Sequence, residues 1–307
     1  MTGLRQAAED YITLRRSLGF KADREGRFLP DFAAYIERRG SSFITTAIAV
    51  DWATQPTSAS PKWWATRLDY VRRFARYMSA LDPRTQVPSR ELMDSRRVRP
   101  APYLYSDEDI QALMQAAEGL HGPLKPTTYT TLIGLLAATG MRVGEAIALD
   151  RSDFDGCEEI LTLRDGKFGR SREVPIHSST CVALQAYGQR RDRVFPRCKA
   201  PSIFVSNAGT RLNYQNVHFA FLRLVHRAGL EDRRPRRPRI HDLRHSFAVR
   251  TLMGWYRAGL DVQPRLPRLS TYLGHVSPNT TYWYLTAVPE LLGLAAERLE
   301  QSLGELP

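Results

Sequence analysis

The sequence has few of the features that mark secreted, metal-stabilised or membrane-spanning proteins. Only three of its 307 residues are cysteine, and their odd number and wide spacing offer neither a disulfide framework nor a CxxC metal-binding pair. The longest apolar run, near Thr131 to Thr139, is too short to cross a bilayer. The N-terminal stretch carries Arg5, Glu9 and Asp10 on an amphipathic pattern, unlike a signal peptide. We therefore expect a cytoplasmic protein with free thiols and no membrane contact.

Two further absences bear on chemistry. The chain has no P-loop motif, and it has no cluster of carboxylates suited to Mg²⁺. His241 and His245 have the HxxxH spacing of some zinc sites, but Asp242 stands where the HExxH motif has glutamate, and no third ligand segment follows. We therefore predict no metal and no cofactor.

Positive charge, by contrast, is abundant. The chain has 44 Lys and Arg residues against 32 Asp and Glu residues, which gives a formal net charge of +12 and a pI near 9.9. A protein this basic attracts polyanions, of which nucleic acid is the commonest. Solubility alone, or binding to an acidic protein, would also account for the charge.

The first part of the chain is predicted to be a helical domain over residues 1–85. In its helix over residues 61–79, Trp64, Leu68 and Val71 lie on one apolar face, which predicts a core. The basic side of this helix is a candidate DNA-contacting surface, with solvated charge as the alternative. Its residues are Lys62, Arg67, Arg72, Arg73 and Arg76. Prolines and arginines over residues 86–104 predict a basic linker.

The second domain, over residues 105–307, is predicted to be mainly α with a small antiparallel β-sheet. Ser106 and Asp109 have the spacing of a capping box, and a helix is expected to end at Gly140. The β-type segments 160–163 and 173–176 flank a glycine-containing turn and predict a hairpin. Helical patterns follow near 178–192, 213–229, 242–257, 265–273 and 278–285, with a last amphipathic helix over 288–303.

Five short segments of the second domain contain residues that suit phosphate chemistry. Each one alone is better explained as an ordinary surface or packing residue, but their order is specific. They are Arg142 in the segment TGMRVGE, Lys167 at the predicted hairpin tip, His241 and Arg244 in HDLRH, His275 in LGH, and Tyr284 nine residues later.

Together these segments resemble the tyrosine recombinase (phage integrase) family over about residues 105–290. Thr280 and Thr281 followed by two residues and Tyr284 match the family's usual nucleophile pattern, whereas Tyr282 has the wrong register. The resemblance implies a helical, SAM-like core-binding DNA-binding domain followed by an α+β catalytic domain. It also implies a C-terminal helix that docks either on its own protomer or on a neighbour.

The resemblance implies a covalent mechanism. Tyr284 would attack DNA and form a 3′-phosphotyrosine link, which stores the bond energy so that rejoining needs no ATP. Arg142 and Arg244 would neutralise the charge that grows on the phosphate, as metals do in other nucleases. His241 would accept the tyrosine proton or bind the phosphate, His275 would bind the phosphate, and Lys167 would protonate the leaving oxygen. Residues expected to orient these groups are Glu145, Asp242 and His245.

The expected partner is double-stranded DNA with specific recombination sites. A proline-interrupted basic run beside the site is predicted to contact its backbone, with a solvated loop as the alternative: Arg233, Arg234, Arg236, Arg237 and Arg239. The resemblance implies a homotetramer on DNA, or an assembly with related recombinases, that integrates, excises or transposes a mobile element. Chromosome-dimer resolution, type IB topoisomerase activity and non-catalytic DNA binding remain alternatives.

Overall fold

The computed structural model describes residues 3–93, 101–164, 171–232, 237–275, 277, 279–287, 290–294 and 296–297. The chain divides into two compact units, Met1–Arg99 and Pro100–Pro307. The described residues of both units are mainly helical, and the second unit also contains a small sheet. This agrees with the fold class predicted from the sequence.

The first unit is a helical bundle with an aromatic core. Ser60 caps the last and longest of its helices by accepting a hydrogen bond from the Trp63 backbone, and a proline occupies its first turn, where no backbone N–H is needed. In the core, the ring of Phe28 packs edge to face on Trp52, and the ring of Phe32 packs on Trp52 at a tilt. The helices are α1 (Leu4–Ser17), α2 (Asp23–Arg38), α3 (Thr46–Thr54) and α4 (Pro61–Ser79).

Two arginines of α4 face inward, which corrects their assignment to a DNA-contacting surface. Arg67 is 9% exposed, donates to the Trp52 carbonyl over 2.8 Å and stacks 3.8 Å from the centre of the Trp52 ring. Arg72 is 4% exposed and donates to the carbonyls of Pro88 and Ser89 over 2.9 and 3.0 Å. Both guanidiniums hold backbone in place, and their burial keeps them from acting as a DNA-contacting surface.

The segment after α4 extends the first unit beyond the boundary expected at residue 85. The backbone N–H of Gln86 donates to the Ile44 carbonyl over 2.8 Å, and its side chain accepts from Thr46 N over 2.9 Å. Arg72 fixes the next residues through the carbonyls described above. The start of the predicted linker is therefore packed on the first unit, while Tyr103 at its other end lies in the core of the second unit.

The second unit begins with the predicted capping box. Ser106 accepts from Asp109 N over 3.1 Å, and Asp109 accepts from Ser106 N over 3.2 Å. The helix expected to end at Gly140 does so. The helices are α5 (Asp107–Glu118), α6 (Lys125–Thr139), α7 (Val143–Ala148), α8 (Ser178–Val194), α9 (Tyr214–Arg227), α10 (Asp242–Arg257), α11 (Leu266–Leu273) and α12 (Asn279–Ala287).

The sheet of the second unit contains the predicted hairpin and one further strand. Strands β1 (Phe154–Asp155), β2 (Ile160–Leu163) and β3 (Arg172–Pro175) are antiparallel in that order. Leu161 pairs with Val174, and both are buried, because residues directly opposite each other on neighbouring strands point to the same face of the sheet. Lys167, expected at the hairpin tip, lies outside the described residues.

The predicted C-terminal helix is only partly covered by the described residues. Residues 290–294 and 296–297 are helical, and Leu291 is buried in the same apolar cluster as Tyr284. Within the described parts of the chain, no helix has the length and apolar character needed to cross a membrane.

A left-handed glycine ends α6 at the point where the functional segments meet. Gly140 has φ = +61°, and a Cβ there would lie 2.5 Å from Cδ1 of Phe247 and 3.1 Å from Cδ2 of Leu273. Gly259 has φ = +66°, but a Cβ there would meet nothing within 4 Å. The two positions therefore share backbone strain and differ in packing.

Gly140→Ala is expected to destabilise the protein more than Gly259→Ala. The strain alone costs about 1–2 kcal/mol at either position. Collision with the Phe247 ring adds about 1–3 kcal/mol at residue 140 only, because an aromatic ring in a packed turn cannot move aside cheaply. Denaturant unfolding of both variants measures the difference, and equal losses would show that the turn is not packed as described.

Candidate active site

Arg142 lies in the turn between α6 and α7 and binds two separate parts of the site. Its backbone N–H donates to Glu145 Oε2 over 2.9 Å, and its Nη1 donates to Glu145 Oε1 over 2.7 Å. Its Nη2 donates to the Gly274 carbonyl, 132 residues away, over 2.8 Å. The side chain remains 29% exposed, so its guanidinium is accessible to a phosphate while the turn holds its orientation.

Glu145 joins Arg142 to a second arginine, Arg172, at the start of β3. Arg172 donates to both carboxylate oxygens over 3.1 and 2.9 Å, and its Nε donates to the Tyr272 carbonyl over 2.9 Å. Burial alone would raise the pKa of Glu145, but the hydrogen bonds from Arg172 and the Arg142 backbone lower it overall. Glu145 therefore stays ionised and orients both guanidiniums, as the sequence predicted for Arg142.

Glu145→Gln is expected to destabilise the protein at neutral pH by about 2–4 kcal/mol, because two partly buried guanidiniums lose their counter-ion. Because the folded-state pKa lies below the ordinary value of 4.5, the carboxylate's contribution is fully present above pH 4.5 and is lost as the pH falls through the folded pKa. Unfolding free energies measured against pH should therefore converge for wild type and variant in acid. Glu118→Gln, at an exposed position in α5, is the matched control. A constant gap at every pH would contradict this account.

Arg244, on the first turn of α10, is the most enclosed cation of the site. It is 2% exposed; its Nη1 donates to the Gly140 carbonyl over 2.9 Å and its Nη2 to the Leu273 carbonyl over 2.7 Å. Burial lowers its pKa to about 10, with a further contribution from Arg142. Arg244 thus remains charged at neutral pH and ties together the turns that end α6 and α11.

The two histidines of the HDLRH segment, His241 and His245, pack edge to face at the start of α10. Their ring centres are 4.8 Å apart, with the rings nearly perpendicular. His241 keeps an exposed surface, yet desolvation by the surrounding protein, followed by the charge of Arg244, lowers its pKa to about 4. His241 is therefore neutral at pH 7 and can either donate or accept a hydrogen bond.

Tyr284, on α12, is almost entirely buried beside these histidines. It is 1% exposed, and its hydroxyl lies 2.9 Å from Nδ1 of His245. His275 stacks on the tyrosine ring with 6.3 Å between ring centres, and its Nδ1 lies 2.8 Å from Oγ1 of Thr281. Electrostatic attraction between Tyr284 and Arg244 raises the pKa of that arginine, opposing the effect of burial. Tyr282, the competing tyrosine, is 40% exposed.

The structure thus brings together most of the predicted site residues that it describes. Five predicted residues converge on the ends of α6 and α11 and the start of α10: Arg142, His241, Arg244, His275 and Tyr284.

Asp242 is fully buried and binds the backbone and the guanidinium of Arg239, with Nη2 of Arg239 2.6 Å from Oδ1 of Asp242. Asp242 therefore fixes the chain entering α10 rather than the site arginines. Arg237 is exposed, and Arg233, Arg234 and Arg236 lie outside the described residues.

Two contacts of this site were not predicted from the sequence. Arg172 was not among the predicted site residues; its side chain is only 13% exposed, and a charge so enclosed requires a partner, which here is Glu145. His245 was expected to orient its neighbours, and its Nδ1 lies within hydrogen-bonding distance of the Tyr284 hydroxyl itself. Within the described ranges, no group of three or more His, Cys, Asp or Glu side chains could hold a metal ion.

Comparisons with known proteins agree with the residues assembled here. Residues 103–290 match the Phage integrase family. The chain is 47% identical to a putative integrase/recombinase, y4rB, from Sinorhizobium fredii, over 98% of both chains. The integrase of transposon Tn1549, solved with transposon right end DNA, shares the fold with a TM-score of 0.68 and 17% identity, covering 98% of this chain and 99% of that one. A lambda integrase tetramer bound to a Holliday junction gives a TM-score of 0.63 and 17% identity over 92% and 77%.

A buried tyrosine beside two arginines and three histidines, on a mainly helical domain, has the groups that phosphoryl transfer to a tyrosine requires. The chain belongs to the phage integrase family, the tyrosine recombinases, which are DNA strand-transferring enzymes.

Proposed function

We propose that this protein recombines specific DNA sites through a covalent 3′-phosphotyrosine intermediate formed by Tyr284. The observation that carries the proposal is the buried Tyr284 hydroxyl, held 2.9 Å from an imidazole and close to the enclosed guanidinium of Arg244. Burying the charge of an arginine without compensation costs free energy. A tyrosine that served only for packing would give no reason to keep the charged Arg244 near its hydroxyl.

The reaction exchanges one phosphodiester for another. The Tyr284 hydroxyl gives its proton to a histidine of the site as its oxygen forms a bond to phosphorus. The bond from phosphorus to the 5′-oxygen breaks, and Lys167 supplies a proton to that oxygen. Rejoining reverses each step, so the bond energy is kept and no ATP is needed. The cations of the site are proposed to do the work that metal ions do in other nucleases. DNA entry has to open a path to the hydroxyl, since Tyr284 is 1% exposed.

Arg142 and Arg244 are proposed to bind the non-bridging phosphate oxygens. Negative charge grows on these oxygens in the transition state, and donors already fixed in direction stabilise it with little reorganisation. The carbonyls of Gly140, Leu273 and Gly274 supply that orientation. His241, neutral at pH 7, and His275 are proposed to complete the set with hydrogen bonds to the same phosphate.

Contacts with the rest of the DNA are proposed for exposed cations outside the site. Lys62 and Arg76 on α4 are exposed, and Arg73 is partly exposed while it pairs with Asp69 and Glu25. Arg233, Arg234, Arg236 and Arg237 are proposed to reach the backbone beside the cleaved bond, whereas Arg239 is held by Asp242. Such contacts make binding strongly dependent on salt.

The assembly is proposed to be a tetramer on DNA, or a mixed assembly with related recombinases. The lambda integrase tetramer of similar fold supports this arrangement.

We further propose that the enzyme moves a mobile element, which is supported by the integrase/recombinase from Sinorhizobium fredii and by the fold shared with a transposon integrase. Since its substrate is DNA, we assign it to the cytoplasm. Chromosome-dimer resolution is the alternative role.

The test is strand exchange on a supercoiled plasmid that carries two copies of a DNA site selected by binding from a random pool. Incubation in EDTA is expected to yield recombined circles. Relaxed plasmid without exchange would indicate topoisomerase activity instead. Tight binding with neither product would indicate a non-catalytic DNA-binding protein.

A further inference from the structure

The imidazole of His245 occupies a position that the family resemblance did not assign to any step. Its Nδ1 lies 2.9 Å from the Tyr284 oxygen, which is within hydrogen-bonding distance. Its ring packs against Tyr284 and Trp283, with ring centres 5.4 and 5.6 Å apart, and against His241 on the preceding turn of α10. These three aromatic contacts fix the direction of the ring, so Nδ1 remains aimed at the hydroxyl.

The tyrosine needs such a partner. A phenol has an unperturbed pKa near 10, and it has to lose its proton while its oxygen attacks phosphorus. A neutral imidazole is the side chain best matched to accept a proton at neutral pH. With its proton on Nε2, His245 presents an unprotonated Nδ1 to the tyrosine O–H, which leaves oxygen lone pairs available for phosphorus.

We infer that His245, rather than His241, accepts the proton of Tyr284 during cleavage and returns it during rejoining. The inference rests on the proposed function of Tyr284. In cleavage, the tyrosine O–H bond breaks as Nδ1–H and O–P bonds form, and the 5′-oxygen leaves with the proton of Lys167. In rejoining, the 5′-hydroxyl gives its proton to Lys167, and the departing tyrosine oxygen recovers the proton from His245. His241 is then left to bind the phosphate.

The first experiment compares His245→Asn with wild type in single-turnover cleavage of a nicked DNA site. The asparagine amide places a hydrogen-bonding atom near the position of Nδ1 but cannot take up a proton. Cleavage by the variant is expected to fall by about 10²-fold or more, the usual contribution of a positioned proton acceptor. His226→Asn changes an exposed histidine and is expected to have no effect. A His245→Asn rate close to wild type would overturn the inference, because the hydrogen bond alone would then suffice.

The second experiment separates attack from departure. A 5′-bridging sulfur at the cleaved bond leaves as a thiolate and needs no proton. This substrate is expected to restore cleavage by Lys167→Ala and to leave His245→Asn slow. Restoration of His245→Asn as well would assign His245 to the leaving group and overturn the inference.

The third experiment covers the case in which asparagine disturbs folding. His245→Ala is assayed with added imidazoles of different pKa, and the more basic ones are expected to restore cleavage more strongly. Rescue that is absent, or that does not depend on the pKa of the added base, would contradict proton transfer.

Wild type and Tyr284→Phe are run beside every variant in all three experiments. If wild type forms no Tyr284-dependent adduct, the proposed function fails; if wild type reacts and the histidine variants match it, only this inference fails.

Discussion

Tyr284→Phe is expected to abolish covalent attachment to a nicked DNA site, with cleavage reduced by at least about 10⁴-fold, as when other covalent nucleophiles are removed. The substitution deletes only the attacking oxygen. The ring lies in an apolar cluster with Leu252, Leu269 and Leu291, where phenylalanine fits the same space. DNA binding should therefore persist, and a gel-shift assay beside the denaturing adduct gel distinguishes lost chemistry from lost folding.

Tyr282→Phe is the matched control for this prediction. Tyr282 lies two residues away on the same helix but is 40% exposed, so its hydroxyl has no place in the enclosed site. Adduct formation at the wild-type rate is expected. Loss of the adduct in Tyr282→Phe with retention in Tyr284→Phe would reverse the assignment of the nucleophile.

Arg244→Lys is expected to slow cleavage by about 10²–10³-fold, although the formal charge is kept. One ammonium cannot replace a planar guanidinium that binds the Gly140 and Leu273 carbonyls in different directions. One of those buried carbonyls is left without its donor, which costs about 1–3 kcal/mol of stability. The turns carrying Arg142 and His275 then lose their common anchor.

The pH dependence of this variant supplies a second readout. Burial and Arg142 lower the pKa of Arg244 from 12.5 to about 10. The ordinary pKa of a lysine is near 10.4, and the same surroundings lower it, which favours the uncharged amine. Because a lysine is charged below its pKa, Arg244→Lys should lose more activity relative to wild type at pH 8 than at pH 6.

Arg250→Lys is the control for the arginine prediction. It lies on α10 as well, but its partly exposed side chain pairs with Asp107 away from the site. Wild-type cleavage and stability are expected, because exposed ion pairs contribute little. A similar loss in both variants would mean that the helix, rather than the anchored guanidinium, determines the effect.

Much of the fold follows from local sequence patterns. The spacing of Ser106 and Asp109 predicted a capping box, and Gly140 predicted a helix end; both are present, and Gly140 takes the left-handed conformation. The hairpin was predicted from two β-type segments that flank a glycine-containing turn, and the two strands pair as expected. These features depend on neighbours within a few residues, which is why the sequence reveals them without tertiary information.

Features that depend on distant contacts were predicted less well. Arg67 and Arg72 read as a basic helix face, yet carbonyls supplied by α3 and by residues 88–89 draw them inward. The same limitation applies to the link from Glu145 to Arg172 and to the contact between His245 and Tyr284, which joins residues 39 apart. Helical periodicity places a residue on a face, but it does not identify the group that will meet it.

The most direct test of the central claim is to locate the DNA link on the chain. Adduct trapped on a nicked site is digested with nuclease and trypsin, and the peptide spanning residues 269–298, which contains both Tyr282 and Tyr284, is fragmented in a mass spectrometer. Fragments that separate the two tyrosines at Trp283 are expected to carry the nucleotide mass on Tyr284. The nucleotide on Tyr282, or on a peptide outside this range, would contradict the account.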